Sequence, residues 1–187
     1  MGLESSGKRT FAISDLHLDH TNIIKYCERP FQSAEEMNRI IIKNWNETVR
    51  QDDVVYFLGD MSFGRGSRKI DYWKDKLNGN ISFIIGGHDR SKEIKFSDIF
   101  VLWYRGNRFL LIHDPKSVPE KLEGWVIHGH CHNNDLKNYP FINGKKKTIN
   151  VSVEVISYKP LDMDKLFELD FKNIDIMETV DSKPVRR

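Results

Sequence analysis

Five short apolar runs in this chain each end abruptly at a histidine or an aspartate, and this repetition constrains the fold more than any other feature. Ile13-Ser14 gives way to Asp15-Leu16-His17, and Phe57-Leu58 leads to Gly59-Asp60. Ile84-Ile85 runs into Gly86-Gly87-His88-Asp89, Leu111-Ile112 into His113-Asp114, and Val126-Ile127 into His128-Gly129-His130-Cys131-His132. Apolar runs of about four to eight residues bounded by turn residues read as buried strands. In open α/β sheets the carboxyl ends of the strands converge on one crevice, where ligands bind. Five strand ends carrying imidazoles and carboxylates therefore predict one shared polar site. All seven histidines, His17, His20, His88, His113, His128, His130 and His132, lie in or beside these motifs.

Around the five ends the pattern of elements is that of a mixed fold. Strands are expected over 9–14, 54–58, 81–85, 99–104, 109–112, 125–128 and 148–155. Ser33 with Glu36 forms a capping box. It opens a helix running to about Arg50, with Ile40, Ile41, Trp45 and Val49 as its apolar stripe. Further helices are expected over 67–77 and 161–169. A strand–helix–strand–helix–strand first half followed by a strand-rich second half predicts an α/β sandwich with mixed sheets. No internal repeat or linker-like stretch interrupts it. Residues 1–170 read as one domain and 171–187 as a partly flexible C-terminal extension.

Composition narrows the class. With 187 residues, 39% apolar and 30% charged, the chain can build one full core. No apolar run approaches the roughly 18 residues of a membrane span, and Met1 to Arg9 lacks the apolar core of a secretory signal. Two cysteines, Cys27 and Cys131, in different contexts make no disulfide framework and point to the cytoplasm. A net charge of +2 gives little support for a nuclease of long polymers. Of the basic clusters, Lys145-Lys146-Lys147 follows the hairpin signal Asn143-Gly144, and Lys183 to Arg187 reads as a frayed tail.

Taken singly, each strand-end motif has a plainer reading: Asp15 as a turn cap, Gly59-Asp60 as an ordinary connection. His130 and His132 say more, since alternate residues of an extended segment point the same way. Together and in this order, Asp15-Leu16-His17, Gly59-Asp60, Gly86-Gly87-His88-Asp89, His113 and Gly129-His130-Cys131-His132 resemble the calcineurin-like metallophosphoesterases, over about Thr10 to Pro160. Within them the chain is similar to a compact bacterial, archaeal or phage subgroup marked by the run from Asp15 to Ile24, by Arg29-Pro30-Phe31, by Trp45-Asn46 and by Asn150-Val151. The resemblance implies a four-layer α-β-β-α sandwich around a binuclear metal centre. It implies one metal held by Asp15, His17 and His132, and another by His113 and His130, with Asp60 bridging. His88 would stay off the metals and face the leaving group. The family carries an asparagine ligand before that histidine, whereas this chain has Gly87, which offers no side chain to the second metal.

The residue types suit the chemistry the resemblance implies, hydrolysis of a phosphate ester by a bridging hydroxide. Two divalent ions with only Asp15 and Asp60 as charged ligands leave a net positive cluster, because histidines bind as neutral groups. Imidazole and carboxylate donors suit manganese, the working choice, and also iron, nickel or zinc. His20 and Asn22 are candidates to line the phosphate pocket or to start a helix, and Arg29 to clamp a phosphate or form a surface ion pair. By strand alternation His128 faces away and Cys131 packs on the opposite face. Asp89 and Asp114 orient backbone or cap turns, and Asn150 supports the site from behind. The loop with Phe63, Gly64 and Gly66 either approaches a ligand or merely connects a strand to a helix. The leading reading is a phosphodiesterase or phosphatase of a small nucleotide-like ester. A nuclease would need a basic groove, and a non-catalytic metal- or phosphate-binding module has Gly87 as its support. Trp103 and Tyr104 are aromatic candidates for an interface.

Overall fold

The computed structural model describes residues 7–119, 121 and 123–186. The Met1–Ser6 part of the chain's start and Arg187 of the terminal basic cluster lie outside them. The chain forms β1 (Thr10–Ile13), α1 (Thr21–Tyr26), α2 (Ala34–Thr48), β2 (Val54–Phe57), α3 (Ile70–Lys74) and β3 (Asn80–Ile84). Then follow β4 (Phe96–Ser97), β5 (Ile99–Tyr104), β6 (Asn107–Ile112), β7 (Trp125–His128), β8 (Ile142–Asn143) and β9 (Thr148–Asn150). The chain ends through β10 (Leu161–Asp162), α4 (Met163–Glu168), β11 (Ile174–Met177) and β12 (Val185–Arg186).

The first sheet has the order β10-β1-β2-β3-β4, parallel except for β10. The second has the order β12-β11-β8-β9-β7-β6-β5, with β6, β7 and β9 parallel and the rest antiparallel. Rings from the two sheets meet between them, Tyr56 against Phe100 with centroids 4.9 Å apart. On the other side of the first sheet lies α2. Its Met37, Ile41 and Trp45 are fully buried, and Trp45 faces Phe57 at 6.4 Å. The Ser33 hydroxyl accepts the Glu36 N–H at 3.1 Å, as a capping residue should, while the Glu36 carboxylate takes the Gln32 N–H at 2.7 Å, one residue before the usual box partner. Two mixed sheets flanked by helices make the α/β/β/α sandwich of the calcineurin-like metallophosphoesterase fold, as the resemblance implied. Among the described residues no helix is long and apolar enough to cross a membrane.

Two local expectations differ from the structure for identifiable reasons. The helix expected over 67–77 is α3 alone, since Ser62 and Asp19 hold the backbone of Arg68 in a turn. The strand expected over 148–155 stops at Asn150, where the Asn150 side chain accepts the Ser152 N–H and the Ser152 carbonyl accepts the Val155 N–H. Described residues beyond 170 pack and pair with earlier elements. Phe171 packs edge-to-face on Trp125, with centroids 4.8 Å apart, and β11 joins the second sheet through Ile176–Asn143 and Met177–Ile142 pairing.

Candidate metal centre

The site is built first from backbone. The loop after β1 lies along the loop after β2: the N–H groups of Asp15, His17 and Leu18 donate to the carbonyls of Gly59, Asp60 and Met61 at 2.9–3.0 Å. Ser14 bridges to the second sheet, donating to Val151 and accepting from Val153. The buried Asp89 carboxylate accepts three N–H groups, from Asp60 (2.8 Å), Met61 (2.9 Å) and Gly86 (3.1 Å), tying the ends of β2 and β3 together. Those ends pass so closely that a Cβ on Gly59 would stand 2.6 Å from the Gly86 backbone, and one on Gly86 would collide with Asp60. Asn150 donates to the His132 carbonyl at 3.0 Å, holding the third loop. Positive φ is uncommon for side-chain-bearing residues and costs about 1 kcal/mol or more each. Asp15, His17, Asp60, His130 and His132 all adopt it. Five of the thirteen side-chain-bearing residues with positive φ among the described residues are thus candidate ligands.

Their side chains form two groups at ligand spacing, Asp15 with His17 and His132, and Asp15 with Asp60 and His113. Asp60 Oδ2 lies between them, 3.5 Å from His17 Nε2 and 3.5 Å from His113 Nε2. Asp15 Oδ2 is held by the hydroxyls of Ser14 (2.5 Å) and Ser152 (2.9 Å) and by the His130 N–H (2.9 Å). Its Oδ1 is buried without a hydrogen-bond partner, as are both ring nitrogens of His17. An unpartnered buried polar atom costs about 1–3 kcal/mol, so these atoms fit a bound cation, which would supply the missing partner. Burial lowers the His17 pKa to about 3, leaving a neutral ring with a lone pair to give.

His113 has its Nδ1 on the Leu58 carbonyl at 2.7 Å, which turns Nε2 into the site. Burial alone would lower its pKa, but the Asp60 hydrogen bond and the charges of Asp15 and Asp60 raise it to about 9. Burial likewise opposes charge on Asp60, yet His113 and the His88 N–H hold its carboxyl well below the usual range. His130 is exposed, its Nδ1 3.3 Å from His113 Nε2, and lies outside both groups.

His132 has a partner that the sequence did not reveal. Its Nδ1 is 3.0 Å from Glu154 Oε1, and Glu154 is paired with Arg29 at 2.7 Å. Arg29 is only 3% exposed and also donates to the carbonyls of Leu16 (2.7 Å) and Asp15 (2.8 Å). Its guanidinium therefore faces the interior behind the site, as a buried ion pair rather than a surface pair or a solvent-facing clamp. Burial works against charge on His132, but Asp15, Cys27 and Glu154 raise its pKa to about 11. Burial would raise the Glu154 pKa, and Arg29 and His132 bring it down to about 2. Cys27, His132 and Glu154 also stand at ligand spacing, though the carboxylate is already committed to Arg29.

At the mouth, His88 is 40% exposed. Its Nε2 is 4.0 Å from Asp60 Oδ2, its ring packs on Phe63 at 3.9 Å, and its N–H binds Asp60 Oδ1 at 2.9 Å. His20 lies 5.4 Å from His17 and 4.9 Å from Phe63, ring to ring, and is the N-cap residue of α1 without a side-chain cap bond; Asn22 is exposed on the first turn. The Phe63 loop therefore borders the site through its ring. His128 is fully buried, its Nδ1 2.9 Å from the Gly129 carbonyl, with burial lowering its pKa to about 4, and it joins neither group. Burial drives the Cys131 thiol up to about 12. Asp114 caps the turn that follows it through the Lys116 N–H. Gly87 lies at the edge of the site, where an added Cβ meets nothing within 4 Å.

No family model matches the sequence. The chain is 50% identical over 167 residues to the uncharacterized protein MJ1445 of Methanocaldococcus jannaschii, covering 88% of this chain and 92% of that one. It is 32% identical over 82 residues to the gene 66 protein of Mycobacterium phage L5, covering 43% of this chain and 39% of the phage protein. Among solved structures it resembles AQ665 of Aquifex aeolicus, a protein of unknown function. The TM-score is 0.67 at 23% identity, over 87% of this chain and all of that one, a likeness of fold.

Proposed function

Because the chain belongs to the same family as MJ1445 of Methanocaldococcus jannaschii, and its fold brings two ligand groups together, we propose that it is a metal-dependent hydrolase of small phosphate esters, nucleotide-like mono- or diesters. One observation carries the reading: a single carboxylate oxygen, Asp60 Oδ2, stands 3.5 Å from a histidine of each group. That arrangement fits a carboxylate shared by two ions. Asp15, His17 and His132 would hold one ion, and His113, His130 and the shared Asp60 the other, with manganese first and iron, nickel or zinc as alternatives. When bound, such ions supply positive charge to the phosphate oxygens and lower the pKa of water to produce a nucleophile at neutral pH.

The chain's own residues would do the rest. Glu154 and Leu58 fix the rings of His132 and His113 by their Nδ1 atoms, so that each presents Nε2. His88, open to solvent and held against Phe63, is the proton donor to the departing oxygen through Nε2. The unpaired cysteines agree with a reducing, cytoplasmic setting.

Gly87 supports a second reading, a metal-binding member without turnover. The test compares this chain with Gly87→Asn on an activated phosphodiester, after chelation and reloading with manganese. An asparagine side chain has room there, so folding should not confuse the result. Similar turnover by both establishes that the ligands present suffice. Turnover by the asparagine variant alone favours the non-catalytic reading, and turnover by neither removes the hydrolase proposal.

A further inference from the structure

Beside Gly87 lies a cavity of about 510 Å³ that borders the candidate ligands His113 and His130 but not His88. This volume is ample for a compact organic group. Ile85, Ile99 and Ile112 supply apolar walls, and His113 and His130 stand at the end nearest the ligand groups. A second cavity of about 530 Å³ beside Pro160 and α4 has no candidate ligand in its lining. Gly87 also lines the first cavity, and its open surroundings mean that any larger side chain there would project into free space.

The charges around the cavity are as informative as its walls. Besides the histidines, its ionisable lining is Asp98 and Asp114, and no lysine or arginine lines it among the described residues. Two carboxylates in a partly apolar recess repel a second phosphate and tolerate an uncharged group. His88 is not in the lining and packs instead on Phe63. A leaving group held at His88 would therefore leave the cavity to a different substituent of the same phosphorus.

We propose that this cavity receives the organic group that remains attached to phosphorus, and that this group is uncharged and apolar or aromatic rather than a further phosphate. The inference rests on the hydrolase reading and narrows its substrate class.

The test uses the full chain loaded with manganese and ligands that differ only in the retained group. Calorimetric titration with phenylphosphonate, methylphosphonate and 1,4-benzenediphosphonate measures binding. Turnover of p-nitrophenyl phenylphosphonate and p-nitrophenyl methylphosphonate, which share a leaving group, measures use. Phenylphosphonate should bind at least about tenfold more tightly than methylphosphonate, and the second phosphonate should erase that gain. In Ile99→Asp and in Gly87→Leu the phenyl-to-methyl ratio should fall toward one for both binding and turnover. A ratio near one in the unaltered chain, or an unchanged ratio in both variants, overturns the cavity assignment while turnover of the methyl ester leaves the hydrolase reading intact. Absence of turnover with every ester, and of binding by every phosphonate, overturns both.

Discussion

Substituting His88 separates turnover from metal retention, because its ring stands at the mouth of the site while the candidate ligands lie beneath it. His88→Ala should keep both ions, measured by elemental analysis after gel filtration, and lose about 10²–10⁴ in kcat. Loss of metal in step with activity would make His88 a ligand instead. Asp60→Asn should weaken both ions together, since its Oδ2 is equidistant from His17 and His113. Glu154→Gln probes a residue that stands outside the two Asp15-containing groups and reaches them through His132. Removing its charge leaves Arg29 buried without its counter-ion, a loss of roughly 3–5 kcal/mol, and should weaken metal binding about 10–100-fold. Unchanged stability and affinity in that variant would mean that the pair holds neither the fold nor the ring. Nothing in the local spacing gave this pair away. A glutamate inside the apolar run Val151 to Ile156 demands a buried cation, but its partner lies 125 residues earlier and only the folded chain brings them together.

At the scale of elements, the connections matter more than the strands they join. Asp89 holds three amides from the ends of β2 and β3, and Asp89→Ala leaves all three buried without that acceptor. The expected cost is about 2–4 kcal/mol, read as a shift of the urea midpoint, with faster hydrogen exchange at Asp60, Met61 and Gly86. Protection that stays at the native level would show that other groups fix these loops. The strands ending in candidate ligands were legible because apolar runs and abrupt polar ends are local signals. So was α2, with its Ser33 cap. The two-residue strands β4, β8, β10 and β12 were not, since they exist only as pairings with distant segments. The six-residue α1 is too short to show a period. The grouping of Asp15 with His17 and His132 was legible from order and family resemblance. Their left-handed backbone was not, because that conformation is imposed by the loops around them.

For the whole molecule, the protonation of the site couples stability, metal and pH with opposite signs in the two forms of the protein. In the metal-free chain His113 and His132 have folded-state pKa values raised to about 9 and about 11. Groups raised in this way contribute stability that is fully present below about pH 6.5, their unfolded value, and is lost as pH rises through the folded values. The metal-free protein should therefore become less stable between pH 6.5 and 8.5, by up to about 1.4 kcal/mol per unit for each histidine. The metal-loaded protein should move the other way. Each ion must displace the proton from a histidine nitrogen, so affinity tightens as pH rises, and tighter binding to the folded form adds stability as RT ln(1 + [L]/Kd). His17, already neutral, adds nothing to this slope. Thermal unfolding followed across pH 6.5–8.5, with chelator and with excess manganese, should give Tm curves that diverge. Calorimetry in buffers of different ionisation enthalpy should find at least two protons released on loading, one each from His113 and His132, with any further proton coming from water bound to the ions. Parallel Tm curves with no proton release would mean that these two histidines do not bind the ions, and the assignment of both ligand groups would fall with them.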